Sequence, residues 1–325
     1  MEQNERVQIQ QGTELSGSRG KRHGLPNELW NNRALYLMTL PGILFFAVFS
    51  YYPLLGLQIA FRNFNVVDGM WKSPFAGLKY FEVFLKSPFA FEVTFNTLYL
   101  NLLFILTGLV VAVTIAVLLN EVRQSLLKRF FQSTMFLPFF LSWVIISALV
   151  YSFLNDKYGA LNQLLSSLDL PTQTWYNRPD LWRGILTFVN TWQSFGYNVV
   201  IYLAVIVSID VEMYESARID GANRFHEIFR ITIPQLIPTI VLLTLLGLGK
   251  IFYGNFAMIY SIVGDNGMLL SRTDVIDTYV FRAMRTQGDF STATAVGLLQ
   301  SVLGFCVVMV MNRLSKKYDE DMGLF

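Results

Sequence analysis

The chain has 325 residues, 53% of them hydrophobic and 15% charged, with a formal net charge of +2 at pH 7. Soluble domains carry about 25% charged residues, so one large soluble core is disfavoured, and so small a net charge argues against nucleic acid as a partner. The single cysteine, Cys306, rules out an intrachain disulfide and a cysteine-based zinc site.

Residues 1–33 are polar and rich in glycine and serine, and end in GKRHGLPNELWNNR. They are expected to form a partly disordered cytoplasmic tail. They lack the apolar region and small-residue cleavage site of a signal peptide. Six apolar segments follow, at about 35–60, 95–119, 130–154, 184–208, 236–262 and 292–312. Each has the ~20 residues that a helix needs to cross a ~30 Å hydrocarbon layer. The expected fold is an all-α polytopic membrane protein, with a six-helix domain over 34–318 and a cytoplasmic tail at 319–325. Pro41, Pro53, Pro138, Gly196 and Gly247 interrupt several spans, which neighbouring helices can tolerate.

Lys and Arg set the orientation. With the N-terminus inside, 14 of them fall on the inner side and 10 on the outer, while Lys250 lies within a span. Both termini are then cytoplasmic, as an even number of spans requires. The outer segments, such as NDKYGALNQLLSSLDLPTQTWYNRPDLW, are rich in Trp, Tyr, Pro and Asn, as segments resting at an interface are.

Residues 209–235, between the fourth and fifth spans, are charged and helix-patterned. On a helical wheel, Tyr214, Ala217, Gly221, Ala222, Phe225, Ile228 and Phe229 share one arc. Asp220, Asn223, Arg224, Glu227 and Arg230 lie opposite, and Arg218 is an exception on the apolar side. This pattern suits an amphipathic helix lying on the membrane surface. Gly221, costly inside a helix, predicts a bend instead. Pro234 is expected to begin the next helix, where its missing N–H costs little.

ESARIDGANRFHEIFRITIP resembles the EAA motif of binding-protein-dependent ABC importer permeases: E-A-A, three residues, G, nine residues, then I-x-L-P. Glu215, Ser216, Ala217, Gly221, Ile231, Ile233 and Pro234 hold these positions, with Ser216 in place of the first Ala and Ile233 in place of Leu. Asp220, Ala222 and Phe225 fit a shortened form of the D-G-A extension found in sugar permeases. MTLPGILFFAVFSYYPLLGLQIAF resembles the opening helix of maltose-type carbohydrate permeases. The C-terminal TDVIDTYVFRAMRTQGDFSTATAVGLLQSVLGFCVVMVMNRL resembles the subgroup handling aldouronate, alginate and related oligosaccharides. The resemblance implies a non-catalytic subunit in the bacterial cytoplasmic membrane. It would be paired with a second homologous permease, two ATPase subunits carrying ATP and Mg, and an extracytoplasmic solute-binding protein. It also implies that the EAA stretch is a coupling helix seated on an ATPase. No G-x-x-x-x-G-K-[ST] is present, so no P-loop is expected on this chain, and no cofactor is expected on it.

The expected substrate path is built from polar residues inside spans. Lys250 lies mid-span, too deep to reach water. It either faces the path or bonds backbone carbonyls or a partner's carboxylate. Tyr253 and Ala257 are expected to share its helical face, with Phe256 and Tyr260 nearby. The fourth span contains NTWQSFGYN, where Asn190, Gln193 and Tyr197 form one stripe and Ser194 and Asn198 the next. So many amides must face protein or water. With Trp192 and Asn255 these residues complete the candidate pathway. Hydroxyls and amides suit a polyhydroxylated solute, with Lys250 available for a uronate carboxylate. The alternative is an ion-coupled transporter or channel working without an ATPase. It would need intramembrane Asp or Glu, which the six segments lack. His23 and His226 make no metal or catalytic constellation, and Asp274 and Asp277 are expected to be solvated or to cap helices.

Overall fold

The structure, a computed structural model, describes residues 33–122 and 124–318. The expectations placed on 1–32, on Arg123 and on 319–325 lie outside the described residues. All regular elements described are helical, beside one isolated bridge between Arg62 and Phe75. The chain divides into two compact units, Met1–Gly56 and Leu57–Phe325.

In the first unit, α1 (Arg33–Phe46) carries Pro41 within it and leads into a π-helical turn, Ala47–Tyr51. Leu37, Met38, Phe45 and Phe49 are all exposed, as side chains facing a hydrocarbon layer are. The helical run to Phe61 is 29 residues long, enough to span with some tilt.

In the second unit the end of a 3₁₀ run, Tyr52–Phe61, and a single helical turn, Gly69–Lys72, precede α2 (Lys79–Leu85) and α3 (Pro88–Asn120). Ser87 Oγ caps α3 by accepting from Phe89 N–H at 3.2 Å, and Pro88 supplies a first residue that needs no donor. α4 (Ser125–Phe136) passes through a 3₁₀ turn, Leu137–Phe140, and then the chain bends by 98° into α5 (Trp143–Leu154). The span expected at 130–154, with Pro138 interrupting it, is therefore a bent pair. Pro138 lacks the N–H that would continue the helix, and Ser142 begins a new one by accepting from Ile145 N–H at 3.4 Å.

Next come α6 (Ala160–Ser167) and α7 (Pro179–Ser208), joined by a loop organised around buried Asn162. Its amide donates to the Asp156 and Gln173 carbonyls and accepts from Gln173 N–H and Trp175 Nε1. The longest helices, α3 and α7, form the most extensive pair. One apolar cluster around Trp182, Leu186, Leu100 and Met258 packs beside them, and a second joins Ala112, Ala116, Val199, Leu203 and Leu236. α7 runs unbroken through Gly196, which lies against the Met135 carbonyl of α4.

The remaining helices are α8 (Val211–Ile219), α9 (Arg224–Glu227) and α10 (Ile233–Leu248), then α11 (Phe256–Val263), α12 (Gly267–Thr273), α13 (Ile276–Gln287) and α14 (Phe290–Tyr318). A π-turn, Ile228–Thr232, joins α9 to α10, so Arg224–Leu248 is one 25-residue run. Pro234 is the second residue of α10, at a helix start as expected from the sequence, and the π-turn carries the run on from α9. The widened turn before it accommodates the N–H that proline lacks. The apolar run at 236–262 is not one helix either, because α10 stops at Leu248 and α11 starts at Phe256. Four helical runs among the described residues are long and apolar enough to cross a membrane, or up to six if each bent pair is one span.

Candidate functional site

Two departures from straight helix hold most of the polar residues singled out above. The first is a bend between α8 and α9. Asp210 Oδ1 caps α8 by accepting from Glu212 N–H at 3.0 Å. At its other end Gly221 has φ +82°, a left-handed conformation that glycine adopts freely. Gly221 N–H bonds to the Arg218 carbonyl at 3.0 Å and Ala222 N–H to the Ala217 carbonyl at 2.9 Å. This is the paired bonding of a Schellman turn. Asn223 then caps α9, its Oδ1 accepting from His226 N–H at 3.0 Å with His226 Nδ1 2.8 Å away.

The two arms are tied side by side. Glu227 is buried and receives Arg218 through Nε at 2.8 Å and Nη2 at 3.2 Å, and Arg224 Nη1 at 3.0 Å. Arg224 also lies 3.7 Å from Glu121 at the end of α3. The Tyr214 hydroxyl meets Thr232 Oγ1 at 2.9 Å. The Arg218 hydrogen bonds, helped by Arg224, hold the Glu227 carboxyl below its ordinary range against the effect of burial. Arg218 is thus no exception on an apolar face, because the bend makes a single helical wheel inapplicable. Glu215, Ser216, Asp220, Gly221, Phe225 and Pro234 are exposed, while Ala217, Ala222 and Ile231 are half-buried. Ala217, Asp220, Gly221, Ala222 and Ile231 line a shallow cavity of about 340 Å³ with His226 and Arg230.

The second departure is the break at 249–255. It opens into a cavity of about 640 Å³ walled by α3, α7 and α10. Lys250, Tyr253 and Asn255 line it from the break, and Asn190, Ser194 and Asn198 from successive turns of α7. Asn101 and Thr244 contribute further polar groups. Lys250 is the charged residue of this lining, and no carboxylate among the described residues lies within ion-pair distance of it. Such a cavity can take a ligand rich in hydroxyls, and Lys250 offers one cation to an anionic group on it.

Residues 105–320 match the family model described as binding-protein-dependent transport system inner membrane component. The chain belongs to this family. The permease is 35% identical over 297 residues to protein LplB of Bacillus subtilis (strain 168), covering 91% of this chain and 92% of that one. It is also 35% identical over 301 residues to the polygalacturonan/rhamnogalacturonan transport system permease protein YteP of the same organism, covering 93% of each. Among solved structures it is similar to a bacterial ABC transporter involved in the import of the acidic polysaccharide alginate. That likeness has a TM-score of 0.84 at 32% identity, covering 91% of this chain and 100% of the other. A structure of a bacterial alginate ABC transporter with its alginate pentasaccharide-bound periplasmic protein gives a TM-score of 0.83 at 32% identity, covering 91% and 98%.

Not every residue expected on a path reaches the permease's cavity. Trp192 packs against the core around Trp182. Gln193 donates to the Phe139 carbonyl at 3.3 Å, and Tyr197 stacks on the Phe139 ring with centroids 4.9 Å apart. Phe256 and Tyr260, expected near the face of Lys250, pack against Phe281 of α13. Asn101 lies on the cavity wall and was open to the same reasoning as Asn190, being an amide inside an apolar run. Asp274 is buried, and Asp277 is half-buried in the first turn of α13. Buried Asp274 pairs with Arg282, and Asp277 accepts from Gly254 N–H at 2.6 Å.

Proposed function

We propose that this permease is a membrane-spanning subunit of an ATP-driven importer for an acidic oligosaccharide, handed to it by an extracytoplasmic solute-binding protein. The observation that carries the reading is Lys250, a cation with no carboxylate of the described residues within ion-pair distance, in a cavity otherwise lined by neutral amide, hydroxyl and apolar groups. Buried or membrane-embedded charge without a partner marks a ligand path. Similarity to permeases named for polygalacturonan and for alginate supports a uronate as the anionic group.

In this reading the chain crosses the inner membrane six times, with both termini on the cytoplasmic side. The break at 249–255 divides the fifth span. A second homologous permease faces it, and ATP and Mg reside on two partner ATPase subunits. The bend is the coupling element, with Glu215, Ser216, Ala217, Asp220, Gly221, Ala222, Phe225, Ile231 and Pro234 on or near its docking surface. Its cross-linked arms support that role, since a coupling element must move as one body.

The test is transport by the complete complex in proteoliposomes, with an alginate pentasaccharide and a neutral maltopentaose as probes. Lys250→Met is expected to lower uptake of the acidic probe by about ten- to a hundredfold, the value of a lost charge-assisted hydrogen bond. Equal uptake of both probes by wild type and Lys250→Met would sink the acidic-substrate reading.

A further inference from the structure

Leaving the helix at residue 249 strands a run of backbone groups beside an apolar core, and such groups need partners. Side chains from three separate helices supply them. Asn101 Nδ2, on α3, lies 2.9 Å from the Ile251 carbonyl, 3.0 Å from the Tyr253 carbonyl and 2.9 Å from the Thr97 carbonyl of its own helix, so its two N–H groups are shared among three acceptors. Gln300 Nε2, on α14, donates to the Phe252 carbonyl at 2.6 Å and to Asp277 Oδ2 at 3.0 Å. That same Asp277 oxygen, on α13, accepts from Gly254 N–H at 2.6 Å. Three consecutive carbonyls and the next N–H are all taken by side chains.

We propose that Asn101, Asp277 and Gln300 are positioning residues that clamp the segment Lys250–Asn255 and so fix where Lys250 and Tyr253 stand in the cavity. Asp277 and Gln300 do not line that cavity but a separate space of about 210 Å³ beside Phe256, so they act through the segment. Gly254 belongs to the same device. A Cβ there would lie 2.5 Å from Val275 Cγ2, so only a glycine lets the backbone come close enough for Asp277 to hold it. Tyr253 is tied again by its hydroxyl, which donates to Ser301 Oγ at 3.1 Å, one residue beyond Gln300. Burial raises the Asp277 carboxyl above its ordinary range, and the Gly254 and Gln300 bonds pull the other way.

The inference rests on the cavity being the substrate path, and its test has one readout that does not. In a Cys306→Ala background, the reaction rate of Lys250→Cys with a small thiol reagent reports the position of the segment whatever the substrate. Gln300→Glu sets a carboxylate against Asp277 and the Phe252 carbonyl. It is expected to speed labelling at Lys250→Cys and, with Lys250 present, to cut the acidic-to-neutral uptake ratio by about tenfold, as small misplacements of a built site do. Asn101→Leu is expected to do the same, and Asp277→Leu likewise. Asp277→Asn keeps an acceptor oxygen in place and is expected to keep both properties. If Gln300→Glu prevents recovery of the permease pair, Gln300→Met removes the donors without the repulsion and is read in its place. Unchanged labelling and unchanged ratio in recovered Asn101→Leu and Gln300→Met overturn the proposal. So does an Asp277→Asn variant as impaired as Asp277→Leu. A ratio insensitive to Lys250→Met would strike the acidic-substrate reading alone, leaving the labelling rates to decide the clamp.

Discussion

The bend at 219–223 and the break at 249–255 both interrupt helix, and they are held in opposite ways. The bend is self-sufficient. Its glycine, its two caps and most of its ion pairs come from residues 210–232, with Glu121 the one distant ion-pair partner among the described residues. The break is held from outside, by side chains 23 to 152 residues away in sequence. A locally built element can move as a unit and keep its shape. An element built by its neighbours changes shape when they shift. The first property suits a contact that passes on motion, the second a site whose affinity must change during a cycle.

Substitutions can break or sharpen this contrast. The largest effect is expected at Phe225, which is 73% exposed. Phe225→Ala should leave the permease folded yet reduce retained ATPase by about thirtyfold, as loss of an aromatic anchor worth about 2 kcal/mol does. Full copurification of the ATPase would remove the docking role from the bend. Next come the two glycines, which should fail for different reasons. Gly221→Val forces a branched side chain to φ +82°, costing about 1–2 kcal/mol, whereas Gly221→Asn should be milder. Gly254→Ala overpacks against Val275, at about 1–3 kcal/mol, and Gly254→Asn should be worse still. Thermal unfolding of the purified pair would read both series, and an identical rank order at the two sites would erase the distinction.

Acid should separate the regions further. The Glu227 carboxyl is held low by Arg218 and Arg224, so its contribution is complete above the ordinary carboxylate range and disappears as pH falls through the depressed value. The Asp277 carboxyl is raised, chiefly by burial, so its protonated form is favoured in the fold and its ionisation opposes stability as pH rises. Hydrogen exchange followed from pH 7 down to well below the ordinary carboxylate range, corrected for intrinsic rates, should therefore show 210–232 loosening while 249–256 does not. The smallest effects belong to Gln193→Leu and Tyr197→Phe, which lie off the cavity wall. Each is expected to leave the acidic-to-neutral uptake ratio within about twofold, the range of substitutions away from a site.

The same contrast explains what was legible beforehand. Gly221, Asn223 and the spacing from Glu215 to Pro234 are local signals, so a bend could be read along the chain. The polar residues of NTWQSFGYN could be read as facing protein or water, but the stripe expected to include Asn190, Gln193 and Tyr197 is not the one on the cavity wall, which is Asn190, Ser194 and Asn198. The break carries no such mark, since an apolar run with glycines but no proline at 249–255 looks like continuous helix. Its clamps were also unreadable. Asn101 is one amide in a long apolar segment, and Asp277 looks like any loop carboxylate until Gly254 is seen beside it. The 98° turn after Phe140 had a local cue in Pro138, read as an interruption of the span, but nothing in the apolar content gave its angle.

The unbroken run from Arg224 to Leu248 links the two regions mechanically. Its 25 residues make a rod of roughly 37 Å at 1.5 Å per residue, with the cross-braced bend at one end and the start of the break at the other. It is a lever. A tilt of about 10° applied at the bend sweeps the far end through roughly 6 Å on that length, more than one helical residue's diameter of backbone. The N–H groups of Gly249, Lys250 and Ile251 bond back to the rod, whereas the carbonyls at 251–253 and the Gly254 N–H are fastened to α3, α13 and α14, so the strain of such a stroke falls between the two sets, where the Lys250 cation stands.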